Sequence, residues 1–327
     1  MIVVTGGAGF IGSNLVAGLV ERGERELVVS DRLRSGEKWR NLARHDLTEL
    51  IHPDHLLAWL EAHAGQVRAI LHMGAISSTT ETDADLIADT NLRLPLRLWE
   101  WCTREEVPLI YASSAATYGD GSRGFQDQEA LEALAGLRPL NAYGWSKLAF
   151  DRRAVALAAQ GSAPPHWVGL RFFNVYGPNE YHKGGMRSVV EQAFRTVSRG
   201  DPIRLFRSHD PGYGDGEQLR DFIHVEDCVE VALWLLDHPG VSGIFNCGTG
   251  RARTFMDLAR SVCRSMDQPE RVTFVDTPAE IRDRYQYFTQ ASMGKLRSAG
   301  FEGRFRSLEE GVDDYIRRYL RTGDPYR

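Results

Sequence analysis

The chain has 327 residues, with 39 Lys and Arg against 44 Asp and Glu, for a formal net charge of −5. That length allows two lobes around a large buried core, and the mildly acidic balance gives no reason to expect nucleic-acid or membrane-surface binding. No apolar run approaches the roughly 20 residues of a membrane span, no leader pattern precedes the apolar run at Ile2, and four cysteines (Cys102, Cys228, Cys247, Cys263) lack Cys-x-x-Cys spacing, so a cytoplasmic protein with reduced thiols is expected.

Ile2-Val3-Val4 is an apolar β-branched run followed by Thr5-Gly6-Gly7-Ala8-Gly9-Phe10-Ile11-Gly12. A helical pattern through Leu15, Leu19 and Val20 comes next. Strand, glycine turn and helix in this order form the context of a dinucleotide fingerprint. The glycines stand at 6, 9 and 12, one residue wider than the commonest spacing. Gly6 permits the tight turn, Gly9 lets backbone approach a pyrophosphate, and Gly12 allows close helix–strand packing. The helix N-terminus supplies N–H donors for phosphate. The competing interpretation is a glycine-rich βα turn without a ligand.

The second strand, Leu27-Val28-Val29-Ser30, ends at Asp31. An acid there binds adenosine ribose hydroxyls and points to NAD. Arg32, Arg34 and Lys38 follow, three cations suited to a 2′-phosphate. NADP is therefore expected, with NAD and a merely solvated basic loop as alternatives. His52-Pro53-Asp54-His55 is a polar helix start rather than a metal site, and no metal is expected.

Val67 to Leu71 forms a buried strand and Asp83 to Cys102 a long helix. Leu109 to Ala112 is a strand, Tyr143 to about Ala159 a helix, and Trp167 to Arg171 another strand. This alternation predicts an α/β, doubly wound parallel sheet with its ligand crevice at the strand C-termini. Beyond Arg171, Gly/Pro turns and short helical patterns predict a smaller, interleaved lobe. The division expected is 1–173 with about 224–250 as the dinucleotide-binding domain, and about 174–223 with 251–327 as the substrate lobe.

Chemistry concentrates at Ser113-Ser114, at a strand end, and at Tyr143-Gly144-Trp145-Ser146-Lys147. Tyr143 and Lys147 lie one turn apart on one helix face. An ammonium beside a phenol favours the phenolate, so the Tyr143 pKa is expected to fall from about 10 toward neutrality. A Ser114 hydroxyl can donate to a substrate oxygen while Tyr143 exchanges the proton.

Glycine turn, strand-end serine and Tyr-x-x-x-Lys together resemble the extended short-chain dehydrogenase/reductase superfamily over the first 180 residues. Arg220-Asp221-Phe222-Ile223-His224-Val225 is similar to its later Arg-Asp-Phe segment, whose arginine usually contacts the diphosphate of a nucleotide-activated sugar. A simple ion pair is the alternative role for Arg220. The segments Thr5 to Asn14, Tyr111 to Gly119, Phe173 to Pro178, His182 to Met186, Ser242 to Asn246, Gly248 to Arg251 and Arg284 to Gln290 resemble, more narrowly, the ADP-glycero-manno-heptose 6-epimerases.

That resemblance implies an isomerase using tightly held NADP, which converts ADP-D-glycero-D-manno-heptose to its L-glycero epimer for the lipopolysaccharide inner core. Direct inversion at an unactivated carbinol carbon is difficult. Transient oxidation at C6″ to a ketone, with hydride returned to the opposite face, achieves it without net oxidation. Both faces must meet one nicotinamide, so two acid/base groups on different sides are needed.

Tyr143 is the first and, by the resemblance, Lys183 the second; Lys183 otherwise reads as a phosphate-binding or solvated lysine. The resemblance places Phe10, Ile11, Asp31, Lys38, the turn His72-Met73-Gly74-Ala75, Lys147 and Val175 at the cofactor. Asn91 joins them from behind Tyr143, or is simply a buried structural asparagine. On the substrate side it implies Ser114, Asn174, Lys183, Gly185, Gln192, Phe206, Ser208, Arg220 and Tyr285, and it implies a homo-oligomer, a pentamer.

The sequence departs from the pattern at Pro53, where a lysine is frequent, at Gly185 for serine and at Gln192 for histidine. The loop from Arg207 to Gln218 is also longer. Three rivals remain. A 4,6-dehydratase would carry an Asp-Glu pair where Ala115-Ala116 stands. A UDP-hexose 4-epimerase gives no reason for the Lys183 segment. A non-catalytic NADP-binding regulator would normally have lost Tyr143 or Lys147.

Overall fold

In the computed structural model, which describes residues 1–278, 282 and 285–327, the strands run in chain order as β1 (Ile2–Thr5), β2 (Leu27–Ser30), β3 (Glu49–Ile51), β4 (Ala69–His72), β5 (Leu109–Ser114) and β6 (Trp167–Phe172). They continue as β7 (Asn174–Tyr176), β8 (Ile203–Phe206), β9 (Leu219–His224), β10 (Gly243–Cys247), β11 (Ala252–Thr254) and β12 (Val272–Val275). Arg284, which opens the last segment of the resemblance, lies outside the described residues.

Seven strands form one sheet in the order β10-β6-β5-β4-β1-β2-β3, and every pairing in it is parallel. Every residue of β1, β2, β4, β6 and β10 is buried, as expected of strands covered on both faces. The helices in chain order include α1 (Phe10–Glu21), α2 (Leu56–Ala62), α3 (Ala84–Ala88), α4 (Leu94–Arg104), α5 (Leu131–Gly136), α6 (Ala142–Ala159), α7 (Val189–Ser198), α8 (Val225–Asp237) and α9 (Phe255–Ser265), of which α7 and α9 pack with the later strands rather than on this sheet. Leu15 and Leu19 of α1 share one core with Val229 and Leu233 of α8, while Trp99, Trp101 and Phe150 of α4 and α6 fill a second.

The sheet grows outward in two directions from β1 and β4, so its crevice opens at their C-terminal ends. The doubly wound sheet expected from the sequence is therefore present. The long helix expected from Asp83 to Cys102 is interrupted: α3 and α4 are joined by a π-helical turn, Asp89–Arg93. Pro95 brings no N–H to the ladder at that point, and a wider turn absorbs the missing donor.

Past β6 the chain builds a β11-β9-β7 sheet and a parallel β8–β12 pair. Their core combines Val190, Leu205, Leu258 and Val262 with Val312 and Ile316. Among the described residues, no helix is long and apolar enough to cross a membrane.

Candidate active site

The glycine turn ends β1 and begins α1. Gly6 sits at φ +64°, and a Cβ on Gly12 would stand 2.1 Å from the Gly6 carbonyl oxygen. Only glycine fits such a turn. Gly9 is the N-cap of α1, and no side chain caps the helix. The first N–H groups of a helix lack internal partners, so here they remain available to an anion. A dinucleotide pyrophosphate fits this cradle.

Two adjoining cavities extend from the turn. The larger, about 980 Å³, is lined by Asp31, Arg32, Arg34, Lys38 and Pro53, among others. The smaller, about 320 Å³, brings together Gly6, Gly9, Phe10, Ile11, Gly12, Met73, Gly74, Ala75, Ser114, Tyr143, Lys147, Val175 and Lys183. Residues more than 170 positions apart thus share one small space.

Asp31 is tied down on both oxygens. Oδ2 accepts from Ala8 N at 2.9 Å, and Oδ1 accepts from Arg32 N at 2.7 Å and Lys38 Nζ at 2.6 Å. Arg32 pairs with Asp54 at 2.5 Å. Of the three cations expected to suit a 2′-phosphate, Arg32 and Lys38 each hold a carboxylate. The local charge is more balanced than the sequence suggested.

Within β5, alternation splits the two serines. Ser113 turns inward and donates to Asp151 at 2.9 Å, while Ser114 faces the small cavity. Lys147 Nζ donates to the Ala112 carbonyl at 2.8 Å, and burial pulls its pKa down to about 8. The Tyr143 phenol is shifted up by burial, with the Ser114 hydroxyl opposing. This overturns the expectation of a phenol depressed by Lys147. The lysine is engaged with a carbonyl, and desolvation of the phenolate dominates.

Lys183 lies on a 3₁₀ turn, Tyr181–Met186, that kinks at Gly184 (φ 55°, ψ −126°). Burial lowers its pKa, and the Glu180 carboxylate opposes that shift.

Asn91 lines neither cavity. Its amide bonds both Ile76 N (2.8 Å) and Ile76 O (2.9 Å) and donates to Ser146 Oγ, which donates to Tyr143 O. It clamps the turn after β4 to the Tyr143 helix.

The substrate-side candidates divide. Arg220 is buried, with its guanidinium 5.4 Å from the Tyr285 ring, and Phe206 meets Tyr285 edge-on at 5.9 Å. Among the described residues no acid pairs with Arg220, and burial lowers its pKa. Ser208 is occupied within its own loop, donating to Asp210 O at 2.7 Å. Gln192 donates to Arg187 O at 2.7 Å, Gly185 is exposed, and Asn174 accepts from Thr289 at 3.4 Å. None of these seven lines the small cavity.

Asp151 escaped the sequence reading. It is fully buried one turn beyond Lys147 and accepts from Tyr111, Ser113 and Arg171 at 3.1, 2.9 and 3.0 Å. An arginine inside a buried strand was the available signal, because such a charge requires a partner. The donor atoms of His224, Glu226 and Asp314 come within 4.8 Å of one another. Arg306 and Arg318 already hold the two carboxylates at 2.7 and 2.9 Å, so this group is an ion-pair network.

A doubly wound sheet, an uncapped glycine turn, a strand-end serine and Tyr-x-x-x-Lys in one cavity define a nicotinamide-dependent enzyme of the extended short-chain dehydrogenase/reductase type. Residues 2–248 match the NAD dependent epimerase/dehydratase family. The chain is 49% identical to the ADP-L-glycero-D-manno-heptose-6-epimerase of Nitratidesulfovibrio vulgaris over 329 residues, 100% of each chain. It is 44% identical to the enzyme of that name from Fusobacterium nucleatum, again over 100% of each. The crystal structure of Helicobacter pylori ADP-L-glycero-D-manno-heptose-6-epimerase superposes with a TM-score of 0.78 at 28% identity, covering 97% of this chain and 95% of that one. The chain belongs to the ADP-L-glycero-D-manno-heptose-6-epimerase family, within the NAD dependent epimerase/dehydratases.

Proposed function

We propose that the protein interconverts ADP-D-glycero-β-D-manno-heptose and ADP-L-glycero-β-D-manno-heptose at C6″, with NADP as its resident cofactor. The observation that carries this reading is that Tyr143 on α6 and Lys183 on the 181–186 turn line one cavity from different elements. An ordinary dehydrogenase has no use for the second group.

When bound, the nicotinamide supplies reversible hydride chemistry at C6″, which lets the stereocentre pass through a ketone. Tyr143 exchanges a proton with the C6″ oxygen in one orientation of the sugar, and Lys183 does so in the other. Ser114 donates to the same oxygen, and Lys147 holds the nicotinamide ribose. The glycine turn binds the pyrophosphate, with Asp31, Arg32 and Lys38 around the adenosine ribose. Asp31 is already satisfied by Lys38 and two backbone N–H groups, which lets a 2′-phosphate approach Lys38; this supports NADP over NAD.

Arg220, flanked by Phe206 and Tyr285, takes the substrate diphosphate. Asn174, Gly185, Gln192 and Ser208 complete the substrate side as the lobe of 174–223 and 251–327 closes on the sugar. The protein acts in the cytoplasm as a homo-oligomer and supplies lipopolysaccharide inner-core heptose.

The test is to identify the nucleotide released on denaturation and to incubate the enzyme with each ADP-heptose epimer separately. Both incubations should reach the same mixture by NMR. Absence of interconversion overturns the proposal.

A further inference from the structure

The segment that leads into the Lys183 turn is fastened to the cofactor side before the turn begins. Pro178 O accepts from Asn14 Nδ2 at 2.9 Å, and Asn179 O accepts from Asn41 Nδ2 at 3.0 Å. Asn14 belongs to α1, and its amide also bonds Phe10 O at 2.9 Å. Asn41 belongs to the short helix Lys38–Leu42, and its amide also bonds Ala8 O in the glycine turn at 2.9 Å. Two buried asparagines thus tie residues 178 and 179 to the glycine turn and the start of α1.

Asn179 adds a third tie through its own side chain. Its φ is +72°, a left-handed conformation that glycine adopts at least cost and that asparagine tolerates. The side chain is fully buried, and both ends of its amide are bonded to distant parts of the chain. Nδ2 donates to Ser13 Oγ at 3.0 Å, and Oδ1 accepts from Arg327 N at 3.0 Å. The Arg327 N–H only donates, so oxygen must face it and the amide cannot be flipped. Glycine alone would satisfy the backbone; the asparagine side chain also grips α1. Lys183 N then donates to Glu180 O at 3.0 Å as the turn begins. Ser13 Oγ donates to Phe10 O at 3.2 Å, and the Phe10 ring faces Lys183 Nζ. Asn179 and Lys183, four residues apart, therefore both register against the first turn of α1.

We infer that Asn179 is a positioning residue for Lys183: its buried amide sets the 181–186 turn in register with the first turn of α1. The inference rests on the two-group scheme proposed above, in which Lys183 must meet the same crevice as Tyr143.

Asn179→Gly keeps the left-handed backbone and deletes both side-chain bonds, so it isolates the grip on α1. Limited trypsin digestion, read by peptide mass spectrometry, reports the turn without reference to turnover. Cleavage after Lys183 should accelerate by about fivefold to tenfold, the equivalent of one net hydrogen bond, while cleavage elsewhere keeps its wild-type rate. A wild-type rate after Lys183, or equal acceleration at every site, overturns the inference. Dismutation of an aldehyde analogue then tests the link to chemistry. In a Tyr143→Phe background, where Lys183 is the remaining acid/base group, Asn179→Gly should slow dismutation by about the same factor. In a Lys183→Met background it should have no effect. Equal slowing in both backgrounds shows a general structural role and overturns the inference. Absence of dismutation in both backgrounds with Asn179 intact instead refutes the two-group scheme, and the inference with it.

Discussion

Lys183 Nζ lies 5.0 Å from the centroid of the Phe10 ring, so the proposed second acid/base group rests on the first residue of α1. Such a cation–π contact is worth roughly 0.5–2 kcal/mol, enough to bias a side chain's position without locking it. The turn beneath it is braced. Buried Glu180 accepts from both the hydroxyl (2.6 Å) and the backbone N–H of Ser188, and Arg187 donates to Gly184 O at 2.6 Å. A lysine that looks like part of a solvated loop in sequence is held from below and above.

Removing either acid/base group should separate chemistry from cofactor binding. Tyr143→Phe and Lys183→Met are each expected to cut epimerisation by roughly 10²–10⁴-fold, the usual worth of a positioned proton-transfer group. Nucleotide should remain bound in both. Each variant should still support redox half-reactions, seen as slow dismutation of an aldehyde analogue of the substrate. If neither variant dismutates the analogue, the two-group scheme is wrong.

Asp151 and Arg171, both fully buried, are paired at 2.9 Å behind the strand that carries Ser114. Asp151→Asn would leave the guanidinium uncompensated, a loss of about 3–5 kcal/mol. Tyr111→Phe removes one hydrogen bond to the same carboxylate and should cost only about 1 kcal/mol. Urea unfolding of the two variants checks the contrast. Similar midpoints would show that the carboxylate is not the centre of this network.

What was legible in the sequence was local. Gly6, Gly9 and Gly12, or Tyr143 and Lys147, carry their meaning in spacing along one turn or one helix face, and the strands that position them are continuous apolar runs. Asp151 and Arg171 are 20 residues apart, and only the packing of α6 on β6 makes them a pair. Asn91 was visible, but its bridge from Ile76 to Ser146 depends on how the π-helical turn after α3 meets α6. The depressed tyrosine failed for a different reason. Spacing shows that two charges can meet, but desolvation, which dominates at Tyr143, is set by everything packed around them. Arg220, Phe206 and Tyr285 come together through tertiary packing of segments that show no helical or strand periodicity linking them.

Lys38 should discriminate between the two nicotinamide nucleotides. Its ammonium sits 2.6 Å from Asp31 on the wall shared by both cavities. Lys38→Ala removes a cation from the expected 2′-phosphate region and leaves Asp31 unneutralised. NADPH affinity should fall roughly 10–100-fold, the range for charge-assisted hydrogen bonds, while NADH affinity changes far less. Parallel titrations measure this, and equal losses would place Lys38 at a part of the cofactor common to both.

Acid sensitivity should trace to buried neutral histidines, His224 above all. Its pKa is held down to about 3, first by burial and then by Arg306, Arg327 and Arg318, with Glu226 opposing; Asp314 stands 3.8 Å from its Nε2. His72 is likewise held down to about 3 by burial and Lys147. Because the folded pKa lies below the unfolded value of 6.5, the unfolded chain binds more protons between these limits. Stability is therefore complete above about pH 6.5 and declines as pH falls toward 3. Asp227 has the opposite sign: burial lifts it to about 6, so its contribution is lost as pH rises from 3.8 to that value. The bulk pH profile mixes both, and a variant is needed to isolate the histidine. His224→Asn preserves an acceptor for Glu226 N at the start of α8 and removes the titration. Between pH 7.5 and 5.5 the wild type should lose about 1.4 kcal/mol more than this variant, by linkage with a folded pKa far below 5.5. Urea midpoints at the two pH values measure the difference, and equal losses would mean that the imidazole is not kept neutral by the fold.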